Sequence, residues 1–83
     1  MKILKYPIII ERTARNYSAF SPDLPGCVAT GRTLEQTIKN MEQAIRMHLR
    51  GLQEDGLPIP KPSSKLTYEV SNHEVLTGIE IRV

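Results

Sequence analysis

Apolar residues along this chain change period partway through. Residues 2 to 13 hold Ile3, Leu4, Tyr6, Ile8, Ile9 and Ile10, a β-branched and aromatic mixture that favours strand. On a period of two, Leu4, Tyr6, Ile8 and Ile10 share one face. Pro7 lies inside this run, which predicts an edge strand or a bulge there. Arg15-Asn16 reads as a turn, because asparagine tolerates positive φ. Tyr17 to Ser21 reads as a second strand, with Tyr17 and Ala19 on one side and Phe20 on the other. Cys27 to Thr30 reads as a third, ended by Gly31. Links this short favour an antiparallel meander.

The period then becomes helical. Leu34, Ile38, Met41, Ile45, Leu49 and Leu52 form one stripe. Thr33-Leu34-Glu35-Gln36 fits a capping box, with Thr33 as N-cap and Gln36 reaching back. Gly56 and Pro58 mark the stop. Residues 57–64 contain Pro58, Pro60 and Pro62 and predict a stiff extended connector. Alternation returns at Lys65 to Val70 and again at Thr77 to Val83. The layout is β-β-β-α-β with room for one more strand, a two-layer α+β domain over residues 1–83.

Size bounds the chemistry. Eighty-three residues make one thin core, which excludes a deep cleft between domains. The charge is +2, with the positive excess in Lys2, Lys5, Arg12 and Arg15. That is far from the basic face of a typical nucleic-acid binder. One cysteine, Cys27, allows no internal disulfide. His48 and His73 are not at zinc-ligand spacing, so neither metal nor cofactor is expected. No run is long enough to span a membrane, and a cytosolic protein is expected.

Ser-Pro-Asp-Leu-Pro-Gly-Cys, residues 21–27, is the most informative stretch. Two prolines fix φ, and Gly26 frees it after the second. Asp23 can brace the turn through main-chain N–H groups. Cys27 could be a nucleophile only beside a base that lowers its pKa, so packing is the preferred reading. Glu11, Glu42 and Glu69 would have to converge to hold a metal pair, and nothing in their spacing brings them together. No catalytic residue is assigned. Tyr6, Tyr17, Phe20 and Tyr68 are expected as exposed sheet aromatics, and residues 79–83 as an edge able to take a strand from another chain.

Residues 17–37, from Tyr17 through the Pro-Asp-Leu-Pro-Gly-Cys turn, Gly31-Arg-Thr33 and Leu-Glu-Gln-Thr, then Asn40 and Met41-Glu-Gln-Ala, resemble the HicB-like antitoxin family. The resemblance covers residues 3 to about 57. It implies a partial ribonuclease-H-like sheet with one or two helices on a face. It implies a partner, a HicA-like toxin: a small basic ribonuclease with a double-stranded-RNA-binding-like fold and a catalytic histidine, which the antitoxin covers. It implies no RNA cleavage by the antitoxin itself.

Many family members carry a C-terminal operator-binding domain. The chain resembles the short stand-alone members, so DNA binding is not expected. Its mild positive charge predicts no strong steering toward a basic toxin. The expected contact residues are Tyr17, Phe20, Asp23 and Leu24, in a rigid turn flanked by aromatics. A homo-oligomer, dimer or higher, is expected from the small core and edge strands. The alternative function is a non-catalytic RNA-binding or regulatory module, motivated by the basic first strand.

Overall fold

The computed structural model describes residues 2–62 and 73–83. Within them, strands β1 (Ile3–Arg12), β2 (Tyr17–Ser21) and β3 (Leu24–Gly31) precede helix α1 (Leu34–Glu54), and β4 (Glu74–Arg82) follows. The strand order is β3-β2-β1-β4, and every neighbouring pair is antiparallel. This is the expected α+β arrangement. Its topology alone does not make the sheet ribonuclease-H-like. The strand read at Lys65 to Val70 lies outside the described residues.

Pro7 corrects one expectation. β1 is a central strand, and its ladder to β4 runs without a shift from Ile3 to Glu11. Lys2 exchanges both backbone hydrogen bonds with Val83, and Arg12 N–H donates to the carbonyl of His73. Even-numbered residues of β1 therefore bond toward β4, and odd-numbered ones point toward β2. The pairing with β2 begins only at Ile9. Pro7 faces the side where no partner strand reaches, so its missing N–H costs no ladder bond and needs no bulge.

The Thr13–Asn16 turn also departs from expectation. Among the described residues only glycines have positive φ, so Asn16 does not use that freedom. Thr13 holds the turn instead. Its hydroxyl donates to Asn16 Oδ1 at 2.6 Å and accepts from the Asn16 N–H at 3.1 Å.

Helix α1 starts at Thr33, whose hydroxyl accepts from Gln36 N–H at 3.0 Å. The reciprocal half of the capping box is replaced: Gln36 Nε2 donates to Asn40 Oδ1 at 2.9 Å. The helix ends in a Schellman motif. Gly56 has φ +70°, its N–H bonds to Gln53 O, and Leu57 N–H bonds to Leu52 O. The buried stripe is Thr37, Met41, Ile45 and Leu49. Thr37 takes the place expected of Leu34, and its hydroxyl is satisfied by Thr33 O at 2.7 Å.

The core lies between the helix and one sheet face: Tyr6, Ile8, Ile10, Ala19, Leu24, Cys27, Met41, Ile45, Leu49, Ile79 and Ile81. Burying a large aliphatic side chain of this kind contributes about 1.5–3 kcal/mol. Tyr6 belongs here rather than on the surface. Its ring is fully buried, and its hydroxyl donates to Pro60 O at 2.6 Å. That bond and the packing of Ile59 draw the connector onto the core.

Candidate interaction surface

The turn at residues 21–27 is tighter than its sequence implies. β2 and β3 meet through Pro22-Asp23 alone, with Ser21 opposite Leu24. Three further residues, Pro25, Gly26 and Cys27, are then inserted before Val28 pairs with Phe20. Gly26 has φ +82°, the value a type II turn needs after a proline at its second position. The inserted residues return Cys27 to the core and turn Val28 outward.

The four expected contact residues divide between two faces. Leu24 has no exposure and sits in the core, and Tyr17 is half-buried against that core. Phe20 is on the opposite face and 39% exposed. Asp23 is half-buried. Its charge, after burial itself, is the second cause raising the Tyr6 pKa above its usual value. Tyr68 lies outside the described residues.

Sequence reasoning missed Val28, which is 63% exposed. Alternation held the signal: Cys27 and Ala29 face the helix, so Val28 must face away. Leu76, Ile9, Phe20 and Val28 stand in register as one apolar row across the four described strands, on the face opposite α1. Around the β3 edge, a groove of about 250 Å³ is lined by Gly26, Cys27, Val28, Ala44, Met47 and His48. Met47 is 73% exposed.

The chemistry of this region is that of contact. Burial pushes the Cys27 thiol up, away from the thiolate a nucleophile needs. Glu42 is held by Arg46 at 2.9 Å on α1, whereas Glu11 lies on β1. Glu11 shares the face of Ile9, on the far side of the sheet from the helix. Glu69 lies outside the described residues. Among the described residues no three His, Cys, Asp or Glu side chains cluster as metal ligands. Lys2 and Lys5 sit at one end of β1 and Arg12 and Arg15 at the other, so the cations form no continuous stripe. No helix among the described residues is long and apolar enough to cross a membrane.

Comparison with known proteins places this geometry. The family described as HicB_like antitoxin of bacterial toxin-antitoxin system matches residues 6–82. An uncharacterised 14.9 kDa protein of Haemophilus phage HP1 is 41% identical over 56 residues, which cover 68% of this chain and 42% of the phage protein. The chain thus spans well under half of that relative's length. A UPF0150 protein of Thermoplasma acidophilum is 30% identical over 63 residues, covering 75% of this chain and 91% of its own length.

Among solved structures, a chain of the HicA3 and HicB3 toxin–antitoxin complex superposes with a TM-score of 0.77 at 28% identity, covering 96% of this chain and 100% of that one. The N-terminal domain of the Burkholderia pseudomallei antitoxin HicB gives 0.80 at 24% identity over 96% of this chain and 100% of its own, a likeness of fold. The chain belongs to the HicB-like antitoxin family of bacterial toxin–antitoxin systems.

Proposed function

We propose that this protein is an antitoxin that binds a HicA-like ribonuclease and blocks it by occlusion. The observation that supports this most directly is the likeness of nearly the whole chain to a chain of a HicA3 and HicB3 complex. The protein works without catalysis of its own, in the cytoplasm, through the surface that the 17–27 segment builds. Phe20 supplies apolar contact, joined by Val28 beside it, and Asp23 supplies charge at the turn. Leu24 and Tyr17 act from beneath by holding the turn rigid. Such a rigid, partly apolar patch can anchor a protein partner with little ordering cost.

The test is cleavage of RNA by a HicA-type ribonuclease encoded beside this protein, with and without the purified chain. Inhibition at a one-to-one ratio is expected. Phe20→Glu together with Val28→Glu should abolish inhibition while the circular-dichroism spectrum is retained. A folded wild-type chain that neither binds nor inhibits at about 10 μM, a weak affinity for a specific protein pair, overturns the proposal.

A further inference from the structure

One end of the sheet gathers cations from three separate segments. Arg12 stands opposite Tyr17, and Tyr17 opposite Gly31, so the end of β1, the start of β2 and the end of β3 lie side by side. Arg32 follows Gly31 directly, and Arg15 sits in the turn between β1 and β2. These three arginines line one cavity of about 210 Å³, together with Asn16 and Tyr17.

All three arginines are exposed. None of them forms an ion pair among the described residues, and no described Asp or Glu lines this cavity or the two beside it. Like charges gathered around one space raise the energy of the free protein, and an anion bound there lowers it. Asn16 adds a donor. Thr13 holds its Oδ1 at 2.6 Å, which leaves its Nδ2 hydrogens without a partner among the described residues.

Guanidinium groups bind phosphate oxygens through paired, planar hydrogen bonds. Three of them match a dianion better than a single negative charge. A terminal phosphate carries about two charges at neutral pH, whereas each phosphodiester of a nucleic-acid backbone carries one. Lys2 and Lys5 lie at the other end of β1, so the patch suits one phosphate group rather than a strand.

The adjoining cavity differs in kind. It holds about 290 Å³, shares Arg12 and Tyr17 with the first, and is otherwise lined by Ile10, Leu34, His73 and Val75. Leu34 and Val75 are 38% and 51% exposed, so an apolar wall stands open beside the cations. An apolar lining with a few placed polar groups is the usual make-up of a small-molecule site. A nucleoside phosphate has the matching form, a flat ring and a phosphate on one sugar.

We propose that this end of the sheet binds a nucleoside monophosphate. Arg12, Arg15 and Arg32 take the phosphate, and Ile10, Tyr17, Leu34 and Val75 take the base. Phe20 and Val28 are on the opposite face of the sheet, so the site stands whether or not the chain inhibits a toxin.

Calorimetric titration with adenosine monophosphate, at an ionic strength of about 0.15 M, tests it. Saturable one-to-one binding with a Kd below about 1 mM is expected. Inorganic phosphate fills only the cationic compartment and should bind about tenfold more weakly or worse. A short RNA without terminal phosphates should also bind more weakly than the monophosphate. Arg15→Gln combined with Arg32→Gln should weaken the monophosphate by about tenfold or more. Leu34→Ala should weaken it while leaving inorganic phosphate unchanged.

Amide chemical shifts of the wild-type protein locate the ligand without mutation. Arg12 to Tyr17 and Arg32 to Leu34 should move on addition of the monophosphate, and Gly26 to Val28 should not. No saturable binding, shifts centred on Val28, inorganic phosphate or RNA binding as tightly as the monophosphate, or a double arginine variant with wild-type affinity would each overturn the proposal.

Discussion

Gly31 lies where the sheet hands over to the helix, and the approach is close. A Cβ built there would fall 2.6 Å from Thr37 Oγ1 and 2.7 Å from Thr37 N. The obstacle is partly backbone, which cannot swing aside. Gly31→Ala should therefore destabilise the fold by about 1–3 kcal/mol, the scale of core overpacking, as a lower urea midpoint at an unchanged slope. Gly51 is the control: a Cβ there meets nothing within 4 Å. Gly51→Ala should stabilise α1 by up to about 1 kcal/mol. Equal effects of the two changes would sink the argument. The sequence marks Gly31 as a strand end; that it also faces Thr37 depends on how the helix docks, which no local pattern carries.

Tyr6 and Cys27 make stability depend on alkaline pH. Burial raises both groups, and the Asp23 charge adds to the effect on Tyr6. The unfolded chain ionises first, near the ordinary values of 9.0 for the thiol and 10.0 for the phenol. Their contribution is full below those values and falls as pH rises through them. The urea midpoint should drop between about pH 8 and pH 11. Tyr6→Phe should lower stability by about 0.5–1.5 kcal/mol at neutral pH through the lost bond to Pro60, and should flatten the alkaline decline. A Phe variant with an undiminished decline would show that other groups cause it.

At the scale of elements, α1 shows which parts of a sequence signal are binding. The Thr33 cap and the Gly56 stop were legible, because each satisfies backbone groups that any helix end leaves open. The return contact of Gln36 was not, since Asn40, one turn on, competes for its amide. Thr33→Ala should cost about 1 kcal/mol, whereas Gln36→Ala should cost distinctly less, because its side chain bonds another side chain and no backbone donor. Comparable losses in thermal unfolding would mean that the full capping box forms in solution. Pro7 teaches the converse. Proline inside an alternating run argues for an edge strand, but what matters is whether a neighbour reaches its N–H side. β2 stops short at Ile9, and that length is set by the turn at residues 21–27.

Across the whole molecule, the layers were readable and the strand order was not. Alternation sorts Tyr6, Ile8 and Ile10 to one face wherever β1 lies in the sheet. Placing β1 between β2 and β4 requires the non-local pairing of Ile3–Glu11 with Glu74–Arg82, which leaves no local trace. Among the described residues, the same order puts Phe20 and Val28 on the side of the sheet away from β4.

Amide exchange can test this arrangement in one experiment. Ile8 N–H points toward β4 and Ile9 N–H toward β2, both inside the sheet. The carbonyl of Thr30 is taken by Asn40 from outside the ladder, so Thr30 and Val28 turn their backbone groups away from β2. Ile8 and Ile9 should exchange only through global opening, whereas Val28 should exchange by local fluctuation, orders of magnitude faster. Val28 protection equal to that of Ile8 in the isolated protein would mean that the β3 edge is covered in solution, against this arrangement.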